Sequence, residues 1–233
     1  MKRKFPRGIV FALTLVIPFV ALWPAQNYKE QLNALIRETQ RQGSRAGRVT
    51  VVWWIPTEFW RATLSASGTV PPDKVQEMVA SISDVNVFIV IDAKTGGLSL
   101  DYVPEAELEK NFSVSDVEGK PVARIPEAKQ SSASKNLIGI MKPLFSNMLG
   151  EFGKHTSFFV FEGKNKDGSR RLDPSKQGTF TARLGGEEFH WRLPLGSLLP
   201  DKVCPKCNET FPGNYAFCPF DATALKEKSS EKH

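Results

Sequence analysis

The chain has 233 residues, 41% hydrophobic and 24% charged, ordinary usage that excludes general disorder and collagen-like repetition; the length allows one or two domains. The formal charge of +6 is unevenly spread: residues 1–48 hold nine Lys/Arg against Glu30 and Glu38 alone, leaving 22 basic and 23 acidic residues for everything after. A nucleic-acid reader carries its basic footprint on the folded domain, whereas this excess flanks an apolar segment and points to a membrane.

That segment opens the chain. MKRKFPR is followed by sixteen uncharged residues, 8–23, which as a helix span roughly 24 Å against a hydrocarbon core of about 30 Å. Extension through Ala25 helps, and Pro18 is of a kind that membrane helices tolerate. Cleavage after Ala25 or Ala21 places Trp23 or Phe19 where a peptidase needs a small residue, so residues 1–25 read as an uncleaved anchor, with a removed signal peptide and secretion as the alternative. The basic extreme N-terminus orients the anchor with its N-terminus in the cytoplasm and the body outside, in the periplasm or beyond.

Residues 26–42 contain no Gly or Pro and line up Tyr28, Leu32, Leu35, Ile36 and Thr39, a helix read as a juxtamembrane spacer over residues 26–47. The runs at 49–55 and 87–91 are short, β-branched and aromatic, as in strands buried on both faces. Between them Pro71 and Pro72 open a helix with Val75, Met78, Val79 and Ile82 on one side. A short helix over residues 104–111 and a hairpin around residues 116–119 follow. Residues 131–149 form the clearest helix, with Ser131, Ser132 and Ser134 as candidate caps, a stripe of Leu137, Met141, Leu144, Phe145 and Met148, and Gly150 as terminator. Pro143 inside it predicts a kink or break. Strands at 157–161, 179–184 and 188–193 complete the body, the last two joined at Gly185-Gly186. Without regular βαβ repeats, residues 48–200 read as an α+β domain around a mainly antiparallel sheet.

The chemistry-bearing pattern is at the end. All three cysteines lie within residues 204–218: Cys204 and Cys207 are two residues apart, Cys218 follows after ten more, and Asp221 stands where a fourth cysteine would complete a second Cys-x-x-Cys. Residues 204–225 resemble the minimal zinc-ribbon family, in which two Cys-Pro-x-Cys knuckles hold one structural zinc. Pro205 and Pro219 follow their cysteines as in that family. The resemblance implies one Zn(2+) held by Cys204, Cys207, Cys218 and Asp221 in a module over residues 201–225, with residues 226–233 as a charged tail. Tight knuckles present paired donors to a tetrahedral ion, and carboxylate is a legitimate though harder ligand than thiolate. Asn208 replaces the usual Gly, a residue type that tolerates the left-handed region. Phe211, Tyr215 and Phe217 are the candidate apolar cover. A metal-free knuckle with Cys204 and Cys207 oxidised, or a different fourth ligand, are the alternatives. Lys202 and Lys206 stand against Asp201, Glu209 and Asp221, so phosphate binding is disfavoured.

Other fragments carry less. S-x-x-K at 132–135 and K-T-G at 94–96 occur in the reverse order to penicillin-binding enzymes and without S-D-N. The histidines are His155, opening a strand, His190, facing outward on one, and His233 in the tail; Asn165–Gly168 reads as a turn. Trp53, Trp54, Phe59 and Trp60 read as core. The layout resembles uncharacterised exported bacterial proteins. The expectation is a membrane-anchored, extracytoplasmic binding or assembly protein, attached through residues 8–25 and meeting another protein rather than nucleic acid. An envelope enzyme with a cleft near Trp53 and Trp60, and a cytoplasm-facing regulator using the ribbon for contacts, are the rival readings.

Overall fold

The computed structural model describes residues 25–97 and 99–228. The expected anchor over residues 1–25 lies almost wholly outside them, as does His233, and no helix among the described residues is long and apolar enough to cross a membrane. In chain order the elements are α1 (Ala25–Thr39), β1 (Gln40–Gln42), β2 (Arg48–Ile55), α2 (Thr57–Ala66), α3 (Pro72–Ser81), β3 (Val85–Gly96), β4 (Ser99–Tyr102), α4 (Glu105–Asn111) and β5 (Phe112–Ser115). There follow α5 (Ser132–Leu149), α6 (Glu151–Lys154), β6 (Ser157–Glu162), β7 (Gly178–Leu184), β8 (Glu187–Leu193), β9 (Lys202–Val203), β10 (Thr210–Phe211) and β11 (Lys226–Glu227). Among the described residues the architecture is mixed α+β with antiparallel sheets and six α-helices.

Strand alternation builds three layers. The central sheet runs β1-β2-β3, with β4 and β6 both pairing β3 along different parts of its length. Val52 and Trp54 of β2, Phe88 and Val90 of β3, and Phe159 and Phe161 of β6 point to one side, against the second sheet, β5-β7-β8. Ile55, Val87, Ile89 and Phe158 point to the other, against Phe59, Trp60, Val75, Val79, Met141 and Phe145 of α2, α3 and α5. Period-two alternation therefore separates two apolar cores. The inter-sheet core is aromatic: Phe180 stacks on Trp191 at 4.8 Å and meets Trp54 edge-on at 4.8 Å. Such pairs add about 0.5–1.5 kcal/mol beyond burial.

Several expectations change here. Residues 26–47 are not a free spacer: α1 stops at Thr39, and Gln40–Gln42 turn into an edge strand on β2. Leu35 is fully buried between the layers. The Trp191 indole N–H donates to the Thr39 carbonyl at 2.7 Å and the Trp53 indole N–H to the Thr39 hydroxyl at 3.0 Å. Residues 57–66, not foreseen as a helix, form one because Pro56 holds the preceding residue extended and Phe59, Trp60 and Ala62 recur on one face. α5 runs unbroken through Pro143, which is exposed along with Gly139 four residues earlier, so the lost amide bond falls on the wet side of the helix. Met78 and Leu144, placed on apolar stripes, are about half exposed. β6, for which the sequence named no partner, pairs β3. His155 ends α6 and stacks on Tyr102.

The two-residue turn between β7 and β8 places Gly185 and Gly186 at φ 53° and 84°, the left-handed pair that a primed hairpin turn demands. Ser131 caps α5 by accepting the Ser134 amide.

Candidate metal centre

The C-terminal module begins where the body ends. A single turn at Gly196–Leu198 is fastened to α1: the Glu38 carboxylate accepts the amides of Gly196 (2.8 Å) and Ser197 (3.0 Å) and the Ser197 hydroxyl (2.5 Å). Beyond it the chain folds back closely. A Cβ on Gly213 would sit 2.4 Å from the Pro200 carbonyl oxygen, so the backbone contact admits no side chain there, and one on Gly196 would sit 2.4 Å from Asn214 Oδ1 and displace that side chain.

β9 pairs β10 on one side and β11 on the other, so the tail's first residues, Lys226 and Glu227, belong to this small sheet. Two loops of the same construction hang from it. In the first, the Cys204 N–H donates to the Glu209 carbonyl (2.9 Å), the Asn208 N–H donates to the Cys204 carbonyl (2.9 Å), and Asn208 is left-handed at φ 62°. In the second, the Cys218 N–H donates to the Thr223 carbonyl (2.8 Å), the Ala222 N–H donates to the Cys218 carbonyl (2.9 Å), and Ala222 is left-handed at φ 57°. Asp221 therefore occupies the backbone position that Cys207 holds in the first loop. Ala222 is a residue that sequence reasoning passed over; its signal was its place one after Asp221, matching Asn208. A non-glycine there costs about 1–2 kcal/mol.

The two loops bring Cys204, Cys207, Cys218 and Asp221 together, one donor atom of each lying within 4.8 Å of the others. Cys207 Sγ and Cys218 Sγ are 3.8 Å apart, and Cys204 Sγ is 3.7 Å from Asp221 Oδ2. A tetrahedral ion with bonds of about 2.3 Å to sulfur and 2.1 Å to oxygen has edges of roughly 3.8 Å between sulfurs and 3.6 Å from sulfur to oxygen. Two edges of the group thus have the lengths of a tetrahedral ion's ligands, and the three cysteines are unbridged. The donor set can hold a metal ion; three thiolates suit a soft or borderline one.

Electrostatics agree with a cation-binding role. Burial pushes the Cys204 thiol up, but the amides of Cys207 and Lys206 and the thiols of Cys207 and Cys218 outweigh it, leaving it below its usual range. At Cys218 burial prevails over the amides of Phe220 and Asp221 and pushes the thiol up to about 11. The Thr223 amide, donating to Asp221 Oδ1 at 2.9 Å, holds that carboxyl below its usual range. Without a cation Cys218 keeps its proton, which a bound metal would displace.

The expected apolar cover is not a cover. Phe211 is half-buried and touches both Tyr215 and Phe220, but Tyr215 is 45% exposed, Phe217 61% and Phe220 77%. The module is too small to enclose them, so they form an aromatic apron around the second loop.

The aromatic group in the body is core: Trp54 is fully buried, Phe59 and Trp60 nearly so, and Trp53 meets Phe59 and Phe145. Two surface clefts lie elsewhere, one of about 300 Å³ between α4 and α5 and one of about 450 Å³ beside Lys120, Arg170 and Arg171. His190 is exposed, as its strand position required, and Asn165–Gly168 is a turn. No family model, curated protein or solved structure matches the chain.

Proposed function

We propose that the chain is a membrane-tethered, extracytoplasmic binding protein whose C-terminal ribbon is held together by one structural zinc and offers a surface for another protein. The observation that carries the metal assignment is the convergence of Cys204, Cys207, Cys218 and Asp221 to within 4.8 Å, with two edges, at 3.7 and 3.8 Å, of tetrahedral length. Zinc fits three thiolates and one carboxylate at four-coordinate geometry, and four protein donors leave no open position for catalysis. Zinc also uses an odd number of cysteines in a compartment that would otherwise pair two and strand the third.

Two features support the tethered binding role. α1 (Ala25–Thr39) is locked into the body by Leu35, Glu38 and Thr39. An anchor in residues 8–25 would therefore be followed by a helix packed on the body rather than by a loose linker. The exposed Tyr215, Phe217 and Phe220 make the kind of apolar patch that marks an interaction site.

The test begins with zinc and free thiols counted on natively purified, unreduced full-length chain. One zinc per chain, with three thiols released on denaturation, is expected; no zinc and a single free thiol would overturn the metal reading. Retention in membranes through alkaline carbonate, with activity of a C-terminal phosphatase fusion in cells, is expected for the tether. Extraction, or an inactive fusion, would overturn anchoring or orientation respectively.

A further inference from the structure

We infer that Asp221 is an exchangeable ligand, and that the metal accepts in its place a thiolate brought from outside the chain. The inference rests on the metal reading above and concerns one corner of that site. The four donors divide into two kinds. Cys204 and Cys218, first in their loops, are buried, whereas Cys207 is exposed and Asp221 half-buried. The second donors of the two loops thus form the edge of the tetrahedron that faces solvent, and the hardest of the four ligands stands on that edge.

The backbone at Asp221 is built as for a sulfur donor. It repeats the Cys207 loop in its carbonyl-to-amide bonds and in the left-handed residue that follows, so the position open on departure of the carboxylate is shaped for a fourth thiolate at about 2.3 Å. The leaving carboxylate does not go unpartnered, because Oδ1 already accepts the Thr223 amide at 2.9 Å. A soft thiolate is the better match to an ion that already holds three thiolates. The exchange balances without oxidant or reductant. The incoming R–SH gives its proton to solvent, an S–metal bond forms as the O–metal bond breaks, and Asp221 stays ionised against Thr223. Phe220, next in sequence to Asp221 and mostly exposed, gives the carrier of the thiol an apolar surface to rest on. The thiolate has two possible carriers, a small free thiol or a cysteine of another protein, with the same chemistry at the ion.

The experiment uses the full chain in detergent, loaded with cobalt(II), whose thiolate charge-transfer absorption counts sulfur ligands. β-Mercaptoethanol and a capped Gly-Cys-Gly peptide are titrated separately into the millimolar range, and retained cobalt is measured after gel filtration. The charge-transfer intensity is expected to rise in the ratio of four thiolates to three with cobalt retained. Asp221→Cys should start at the higher intensity and not respond, while Asp221→Ala should respond at lower thiol concentration than the parent. A rise with both thiols assigns the site to small thiols, and a rise with the peptide alone assigns it to a protein cysteine. An unchanged spectrum, or loss of cobalt to the thiol, overturns the inference while leaving the metal site standing. Absence of any thiolate–cobalt band before thiol is added would instead overturn the metal reading.

Discussion

Removing the metal should melt the ribbon and leave the body folded. Within residues 201–228 the only fully buried residues are Cys204, Gly213 and Cys218, two of them donors, so the module has no apolar core of its own. Ordering each of its residues costs about 1–2 kcal/mol of backbone entropy, against which this burial offers almost nothing. A structural zinc contributes roughly 10–16 kcal/mol in such small modules, as much as the net stability of a whole domain, about 5–15 kcal/mol. Chelation by a membrane-compatible agent should therefore take the amides of Cys204, Asn208, Cys218 and Ala222, all bonded within the loops, from protected to freely exchanging. The amides of β2, β3, β7 and β8 should keep their protection. Every tryptophan lies outside residues 201–228, four in the body and Trp23 in the N-terminal apolar segment, so tryptophan emission does not report on the ribbon and should not move. Unchanged exchange of the four loop amides after the metal has demonstrably left would refute the reasoning, because the loops would then be holding themselves together without it.

Three further perturbations probe how the body supports the site. Glu38→Ala leaves the Gly196 and Ser197 amides and the Ser197 hydroxyl without their acceptor; with charged hydrogen bonds worth about 1.5–3 kcal/mol each before solvent replaces them, a net loss of about 2–4 kcal/mol is expected in urea unfolding, with Glu38→Gln milder. Trp191→Phe keeps the ring on Phe180 but abandons the Thr39 carbonyl, and should cost about 1–3 kcal/mol, against about 3–5 kcal/mol for Trp191→Ala; equal costs would remove the hydrogen bond from the account. Glu187 is partly desolvated, which raises its carboxyl, but the Ser44 amide and hydroxyl and the Arg45 guanidinium outweigh this and hold it below its usual range. A carboxyl depressed in the folded state stabilises above its unfolded pKa of about 4.3 and loses that contribution as pH falls through the lower folded value. The stability gap between the parent and Glu187→Gln should be constant near neutrality and close only below about pH 4.3; a gap that widens on acidification would reverse the sign of the argument.

Much of the local structure was legible. The alternation in residues 179–193 with Gly-Gly between, the β-branched run at 87–91, and the Ser131 cap before an apolar stripe each became the expected element. The grouping of three cysteines and Asp221 was legible because a knuckle is a local device: four residues and a left-handed fifth fix where two side chains point, and Asn208 advertised that fifth position. What failed did so for long-range reasons. The helix ending at Thr39 suits a juxtamembrane spacer until Trp191, 152 residues beyond Thr39, bonds its last turn. Phe211, Tyr215 and Phe217 were read as cover because aromatics in cysteine-rich modules have that use, but only the fold decides whether there is anything for them to cover.

The sequence by itself determined which residues alternate, which recur at helical spacing, where turns must adopt positive φ, and that three cysteines and an aspartate share one knuckled segment. These are properties of neighbours along the chain, where spacing and steric preference act directly. The tertiary structure alone decided which apolar face meets which, splitting the body into an aromatic inter-sheet core and a helix-covered one. It also decided that one ligand edge, with its aromatic apron, faces water while the other is enclosed. Hydrophobic burial is non-directional: it tells a residue to leave water but not beside whom, and only the closed fold supplies that answer.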